Sequence, residues 1–388
     1  MKILQAFSFF SVPTGGGTVD LIYKLSRALR QKGHEVTVYT SDFQMDPKYI
    51  ESLQGVDVFP FHSFVNLPGL YITPGLISEA AKNLKSFDII HLHSYRSIQN
   101  IILHHYARKY GIPYILDAHG STALEHKRTT KRLFDILYGN KIYRDCSKFI
   151  AETQVGVNEY KKLGIAASRI VLIHPPYATE DFVNLPPAGQ FRKKYCIREK
   201  HIIMFLGRIN KIKGIDFLIE SFHELCKKRD DVILAIVGSD DGFKSDLENL
   251  IHRLNLSRKV LFTGFLGGEQ KLKALVDASI MVQTSRAEQG AGVPFEAALC
   301  GTPSIVSSHT GSGEDLKSID GGFLVEMGNT RALAETISRI LKDPSAAKQK
   351  ALNAANYVRE NLSLTKKIED YEKVYIECIN ENSPKRCI

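Results

Sequence analysis

The chain has 388 residues, of which 44% are hydrophobic and 24% charged, and a formal net charge of +9. That length predicts two domains rather than one core. The composition excludes a disordered or fibrous chain, and no apolar run is long enough to be a membrane-spanning helix. The positive balance favours anionic partners, either nucleotides or phospholipid surfaces; nucleic acid is the weakest of these, because no nucleic-acid motif and no Trp is present. Met1 to Leu4 starts a strand pattern rather than a signal peptide. The six cysteines, Cys146, Cys196, Cys226, Cys300, Cys378 and Cys387, are scattered with no CxxC pair. This predicts reduced thiols in a cytosol, not disulfides or a zinc site.

In chain order, residues 2–7 read as a strand and 18–31 as a helix with Leu21, Leu25, Ala28 and Leu29 on one face. Gly33 ends that helix, and 35–40 forms the next strand. Apolar runs at 88–92, 114–117, 148–151 and 170–173 follow, separated by helix-length segments. Strands alternating with helices predict a parallel sheet covered on both faces, a Rossmann-like domain. Between Pro175 and Glu199 the pattern breaks at Pro175, Pro176, Pro186, Pro187 and Gly189, the best candidate for a hinge. The alternation then resumes with strands at 201–206, 232–237, 260–263, 279–283, 304–307 and 323–325. The expected helices between and after them are 215–226, 243–254, 269–276, 331–341 and 346–359, with a last amphipathic one at 364–379. The expected fold is α/β, with two Rossmann-like domains facing across a cleft and ligands at the carboxyl ends of the strands.

Three loops there carry candidate chemistry. Gly15, Gly16 and Gly17 precede the first long helix, a place where glycines can cradle a phosphate, although such runs also make plain tight turns. No acidic residue ends the next strand where a dinucleotide ribose would need it, so the nicotinamide fingerprint is missing. In the second loop, Arg208, Lys211 and Lys213 lie between a strand and the start of a helix, where the macrodipole disfavours cations. A bound anion would relieve that conflict; the alternative is that the side chains simply extend into water. In the third, Glu288 and Glu296 stand with seven residues between them, including Gly290, Gly292 and Pro294. The segment reads strand, glycine loop, helix, with Pro294 early in the helix. Two carboxylates beside free helix-start N–H groups suit a ligand with both hydroxyls and phosphate, or only a dipole partner and a solvated loop charge. Asp240, Asp241 and Gly242 look like a metal-binding pair but are read as a turn.

Together these residues resemble the retaining glycosyltransferases of family 4, which have the GT-B fold. The resemblance rests on Gly15 to Gly17 with Gly33, His34, Glu35 and Val36; on Gly207 and Arg208 with Lys213 and Gly214; and on Glu288 and Glu296 followed by Ala297, Gly301, Thr302 and Pro303. It implies an acceptor-binding domain over 1–175, completed by a terminal helix at about 363–388, and a donor-binding domain over 176–362. It implies that Arg208 and Lys213 stabilise a departing diphosphate, that Glu288 contacts the donor sugar and that Glu296 holds the ribose hydroxyls. Gly16, Gly17, Gly207, Gly290, Ala291, Gly292 and Val293 would line the donor, with Thr263 and Gly264 against the base. His119, after a strand of the first domain, looks like the family histidine that reaches the reacting sugar. Two departures stand out: Pro175, Pro176 and Tyr177 where relatives carry an Asn-Gly turn, and Ala291 where they carry an aromatic.

The implied activity is transfer of a sugar from a nucleotide-diphosphate donor to a glycan or lipid-linked acceptor, as in surface polysaccharide or glycan biosynthesis. No metal or other cofactor is expected beyond that co-substrate. A nucleotide-sugar 2-epimerase and a non-catalytic nucleotide-sugar-binding protein share the architecture; the second predicts losses among Arg208, Lys213, Glu288 and His119, and all are present. On the acceptor side, His126, Lys127, Arg128, Lys131 and Arg132 begin a segment with Leu133, Ile136, Leu137 and Tyr138. With the apolar loop from Leu67 to Ile72, it is a candidate contact to an anionic membrane, or else a solvated helix face. The expected location is therefore cytoplasmic, with the inner face of the membrane as a candidate surface.

Overall fold

A computed structural model describes residues 1–67, 70–122, 128–290 and 292–382. The chain divides into two units, Met1–Pro176 with the segment from Leu364 on, and Tyr177–Ser363.

The first unit is built on parallel strands β1 (Lys2–Ala6), β2 (Glu35–Ser41) and β3 (Asp57–Phe61), then a small antiparallel pair β4 (Val65–Leu67) and β5 (Leu70–Ile72), then β6 (Ile89–His93), β7 (Tyr114–Asp117), β8 (Lys148–Ala151) and β9 (Ile170–Leu172). The main sheet has the order β3-β2-β1-β6-β7-β8-β9. Its central strands are buried along their length, which is why they read as mainly apolar runs, with His91, His93, Asp117 and Lys148 as buried exceptions. β3 was not expected, because Pro60 interrupts its apolar run; a strand containing Pro is tolerated at a sheet edge, and β3 is at the edge. The apolar loop expected at 67–72 is the β4–β5 hairpin, paired Val65 with Ile72; Pro68 and Gly69 at its tip lie outside the described residues.

The glycine run is not a loop before a helix at Thr18. One helical element spans Val12–Gln31, with proline in its first turn, and breaks only at Gly16, whose φ of 54° and ψ of −135° a side chain would resist. The last helix, Leu364–Asn382, belongs to this unit. Its Ile368, Tyr371, Val374, Tyr375 and Cys378 are buried in one core with Ile3, Leu25, Val38 and Ile115. Glu372 pairs with Lys32 and His34, each at 2.7 Å, and Glu377 with Lys148 at 2.8 Å.

The second unit carries β10 (His201–Leu206), β11 (Val232–Val237), β12 (Val260–Gly264), β13 (Ile280–Gln283), β14 (Ser304–Ser307) and β15 (Phe323–Val325), all parallel, in the order β12-β11-β10-β13-β14-β15. The order reverses between β10 and β13, the switch point where doubly wound sheets open a crevice. Phe205, Ile215, Leu218, Phe222, Leu234 and Ile280 centre its main core. Tyr177, the residue that departs from the family's usual turn, is buried with its ring 5.8 Å from that of Phe295. The protein thus has two Rossmann-like halves. Among the described residues, no helix is long and apolar enough to cross a membrane.

Candidate active site

In the second unit the site grows from the carboxyl ends of β10 and β13, the neighbours at the switch point. After β10 the chain stays tied to the sheet: Gly207 N–H donates to Val237 O at 2.9 Å and Ile209 N–H to Ser239 O at 2.8 Å. A Cβ on Gly238 would sit 1.8 Å from Gly207 O, so only glycine lets these two turns pass. Asn210 then caps a short 3-10 turn, Lys211–Lys213, its side chain accepting from Lys213 N–H at 3.3 Å. Gly214, at φ 65°, ends that turn and opens the helix Ile215–Cys226. The three cations therefore stand just before the helix and not in its first turn, which carries Asp216. Arg286 grips Asp216 with two bonds of 2.7 and 2.8 Å and also holds Lys211 O at 2.7 Å, fastening this loop to the one after β13. A bidentate arginine of this kind orients as well as binds.

Lys213 and Glu288 are brought together: Lys213 Nζ is ion-paired with Glu288 Oε1. The other oxygen, Oε2, accepts from Ser285 Oγ at 2.6 Å and Gln283 Nε2 at 3.0 Å. Gln283 and Ser285 are buried, so this carboxylate is aimed by fixed groups. Neither was among the expected site residues, although both lie within five positions of Glu288 at the end of β13. Arg208 takes a different partner. Its Nη1 meets Asp241 Oδ2 at 3.0 Å, and Asn210 Nδ2 donates to the same oxygen at 3.0 Å. Asp240 does serve a turn, accepting from three successive backbone N–H groups at 3.0 to 3.1 Å, but Asp241 is a guanidinium partner. Both members of that pair are 45% exposed. Such a pair is worth at most about 1 kcal/mol, so Arg208 can exchange Asp241 for a stronger anion at little cost.

Glu296 lies in the first turn of the helix Val293–Leu299, with Pro294 also at its start, and is buried against Lys271 at 2.7 Å. Thr263 and Gly264 end β12; Thr263 Oγ1 donates to Gly264 O at 2.9 Å, and Gly238 N–H reaches the same carbonyl at 2.9 Å. Gly292 is exposed, and among the described residues a Cβ there would meet the Tyr177 hydroxyl at 3.7 Å and its ring at 3.9 Å. Ala291 lies outside the described residues.

Gly16, Gly17 and His119 belong to the first unit. His119 follows β7 with a positive φ of 45°, rare for a residue with a side chain. Its ring is 5% exposed and both nitrogens are engaged: Nδ1 with Glu152 Oε1 at 2.8 Å and Asp117 Oδ1 at 3.3 Å, Nε2 with His93 Nδ1 at 2.9 Å. Burial opposes charge on this ring, but the carboxylates of Asp117 and Glu152 outweigh it and raise His119 to about 9. Burial is also the main cause raising Asp117 to about 7. One ligand-type atom from each of Asp117, His119 and Glu152 lies within 4.8 Å of the others. Glu152 and His93 could not be anticipated, since their partner lies 33 and 26 positions away in sequence.

The family models agree with these elements. Residues 15–181 match the model described as Glycosyltransferase Family 4, and residues 189–360 match Glycosyl transferases group 1. An uncharacterized glycosyltransferase of Methanocaldococcus jannaschii is 26% identical, covering 97% of this chain and 98% of the relative. The N-acetyl-alpha-D-glucosaminyl L-malate synthase of Bacillus anthracis is 25% identical, with 95% of this chain and 96% of its own covered. Among solved structures, Anabaena HepE in complex with UDP and glucose superposes with a TM-score of 0.81 at 19% identity, over 97% of this chain and all of that one, 100%. Sucrose-phosphate synthase from Thermosynechococcus elongatus superposes at 0.79 and 18% identity, over 98% and 100%. With both halves of the chain matched and the GT-B fold in place, the protein is a glycosyltransferase and belongs to glycosyltransferase family 4.

Proposed function

We propose that the enzyme transfers a sugar from a nucleoside diphosphate donor, a UDP- or GDP-sugar, to a hydroxyl of a glycan or lipid-linked acceptor, with retention of anomeric configuration. The observation that carries this reading is the set of charges at the ends of β10 and β13: Lys213 paired with an oriented Glu288, and Arg208 held loosely beside them. UDP is favoured among the bases because the HepE structures contain UDP, UDP with glucose, or UDP-glucose.

In this mechanism the C1–O bond to the diphosphate breaks as the bond from the acceptor oxygen to C1 forms on the same face of the sugar. The acceptor proton passes to a departing phosphate oxygen. Arg208 and Lys213 stabilise the charge that grows on that leaving group, which makes them worth more in the transition state than in the bound substrate. Glu288, held by Ser285 and Gln283, accepts hydrogen bonds from sugar hydroxyls, and Glu296 does the same for the ribose. In the second unit, Gly207, Gly290, Gly292 and Val293 line the donor and Thr263 and Gly264 the base; the roles proposed for Gly16, Gly17 and His119 of the first unit, toward the diphosphate and the reacting sugar, come from the family resemblance. No carboxylate is assigned as a nucleophile, and no metal or other cofactor is required.

The exposed Leu133, Ile136, Leu137 and Tyr138 follow the basic Lys131 and Arg132 along the helix Arg128–Phe134 and the π-helical turn Asp135–Gly139 that continues it, which supports contact with an anionic membrane at the cytoplasmic face. His126 and Lys127 of the same run lie outside the described residues. Surface polysaccharide or glycan assembly is the pathway class that fits such an acceptor.

A thermal-shift panel of UDP, GDP, ADP and their sugars tests the donor site. A ligand present at a hundred times its Kd stabilises its protein by about 2.7 kcal/mol. A flat panel would refute the donor assignment, and an inverted anomer in the NMR spectrum of the first product would refute retention.

A further inference from the structure

The ring of His119 is the first link of a buried hydrogen-bond chain that runs back through the sheet of the first unit to its last helix. His93 Nε2 meets Gln5 Oε1 at 2.6 Å, Gln5 Nε2 donates to Tyr375 Oη at 3.3 Å, and Tyr375 Oη meets His91 Nδ1 at 2.8 Å. Gln5, His91, His93 and Tyr375 are all at most 1% exposed. The chain has a direction. With the amide of Gln5 placed this way, its oxygen accepts, so His93 donates from Nε2 and accepts at Nδ1. His119 must then donate from Nε2. At the other end of the ring, Glu152 and Asp117 are carboxylates, which when ionised only accept, so His119 donates from Nδ1 too. A histidine that donates from both nitrogens is an imidazolium. Further along, Tyr375 donates to His91 Nδ1, leaving the His91 Nε2–H as the terminal donor, and that atom is buried with no partner among the described residues. A neutral His119 requires either that the Gln5 amide be turned around or that His93 carry the charge instead, which its burial opposes.

We infer that Glu152 is a positioning residue that, with Asp117 behind it, holds His119 as a doubly donating imidazolium and thereby sets the charge and orientation of the site histidine. The inference rests on the reading that places His119 on the sugar side. The other groups around the ring fit this state. From β6, His93 and His91 are kept neutral, burial driving both well below the usual histidine range. Tyr160, from the helix Gln154–Lys162, spends its hydroxyl on Ala118 N–H at 3.0 Å. From the last helix, Tyr371 and Tyr375 stay protonated because burial raises both. His174, after β9, faces Glu152 and is lowered by burial and by Lys367 of that helix. The charge on His119 is met by the Glu152 carboxylate 2.8 Å away, while burial holds the Asp117 carboxyl toward its protonated form. Glu152 is the more accessible carboxylate, with 12% of its side chain exposed against 1% for Asp117.

The test reads protonation directly, by side-chain nitrogen NMR of the full chain across pH, alongside the pH profile of transfer. In the wild type, the His119 nitrogens should both stay protonated through neutral pH and titrate well above the free histidine range. In Glu152→Gln, which keeps the shape and an acceptor but removes the charge, the midpoint should fall by about one pH unit or more. The alkaline limb of kcat/KM should move down with it. A purely structural role for Glu152 would lower stability and leave the midpoint in place. A wild-type midpoint near 6.5 overturns the inference whether or not the variant folds, and so does an unshifted midpoint in a folded Glu152→Gln protein. If the midpoint shifts and the kinetic limb does not, the charge assignment stands and the placement of His119 on the sugar side fails.

Discussion

At Gly214 the backbone of the cation loop passes against Thr284, in the segment that leaves β13 toward Glu288, so a single methyl there should be expensive. It adopts φ 65° and ψ 28°, and an added Cβ would lie 1.9 Å from Thr284 O and 3.0 Å from Thr284 C. Ordinary contact needs the two backbones to part by about 1.5 Å. They are not free to do so, because Thr284 Oγ1 donates to Gly214 O at 3.0 Å and Arg286 N–H donates to Ile212 O at 2.7 Å. Gly214→Ala therefore combines a left-handed backbone penalty of about 1 kcal/mol with the loss of at least one buried hydrogen bond, worth about 1–3 kcal/mol. The total of about 2–4 kcal/mol corresponds to roughly 4–16 °C in the melting temperature of a unit this size. Gly328 is the control: its φ is 91°, but nothing among the described residues lies within 4 Å of its Cβ position, so Gly328→Ala should cost only the backbone term. Calorimetry of the two variants, with UDP titrations on each, makes the comparison. Gly214→Ala should also lose UDP affinity, since displacing the loop separates Lys213 from Glu288, whereas Gly328→Ala should retain it. Equal melting temperatures and equal UDP affinities in the two variants would refute the reasoning.

Other outcomes follow from the site. Arg208→Ala should cut kcat by about 10²–10³-fold while the fold survives, because its pair with Asp241 is exposed; unimpaired turnover would count against a leaving-group role. Ser285→Ala should weaken sugar-nucleotide binding more than binding of the bare diphosphate nucleotide, since it loosens Glu288 alone, and equal losses for both would argue otherwise. The folded-state rise of His119 from 6.5 to about 9 means its protonation stabilises the fold fully below pH 6.5 and the gain is lost as pH climbs toward 9. Urea denaturation should show up to about 3 kcal/mol of stability disappearing over that window, and less in Glu152→Gln. Ile136→Asp should reduce co-sedimentation with anionic vesicles and leave transfer to a soluble acceptor intact; binding that ignores both the substitution and the lipid charge would remove the membrane proposal.

Much of the architecture could be read before any coordinates, because central parallel strands are buried on both faces and show as apolar runs of four to six residues. What escaped was local in origin. Pro60 hid β3, whose edge position is a property of the whole sheet. The run Gly15 to Gly17 suggested a loop, yet the non-helical conformation is confined to Gly16, with helical backbone on either side of the kink. The site was half visible. Glu288, Arg208 and Lys213 announce themselves by residue type and spacing, but their companions do not. Asp241 sits in a turn-forming sequence, so its pairing with Arg208 depends on two strand ends meeting. Glu152 is an unremarkable acid at the end of β8 until the sheet order sets it beside β7 and His119.

The terminal helix Leu364–Asn382 also has a bearing on how the protein is made. The second unit is one continuous stretch, Tyr177–Ser363, and every strand of its sheet is available once that stretch has left the ribosome. The first unit, although it emerges earlier, must wait for Ile368, Tyr371, Val374 and Tyr375 before its core is closed and Gln5 and His91 find their hydroxyl partner. Synthesis order and completion order are therefore reversed. A chain interrupted after Ser363 would release a finished second unit attached to a first unit with an open apolar face, and such a product is a natural target for chaperones and proteases.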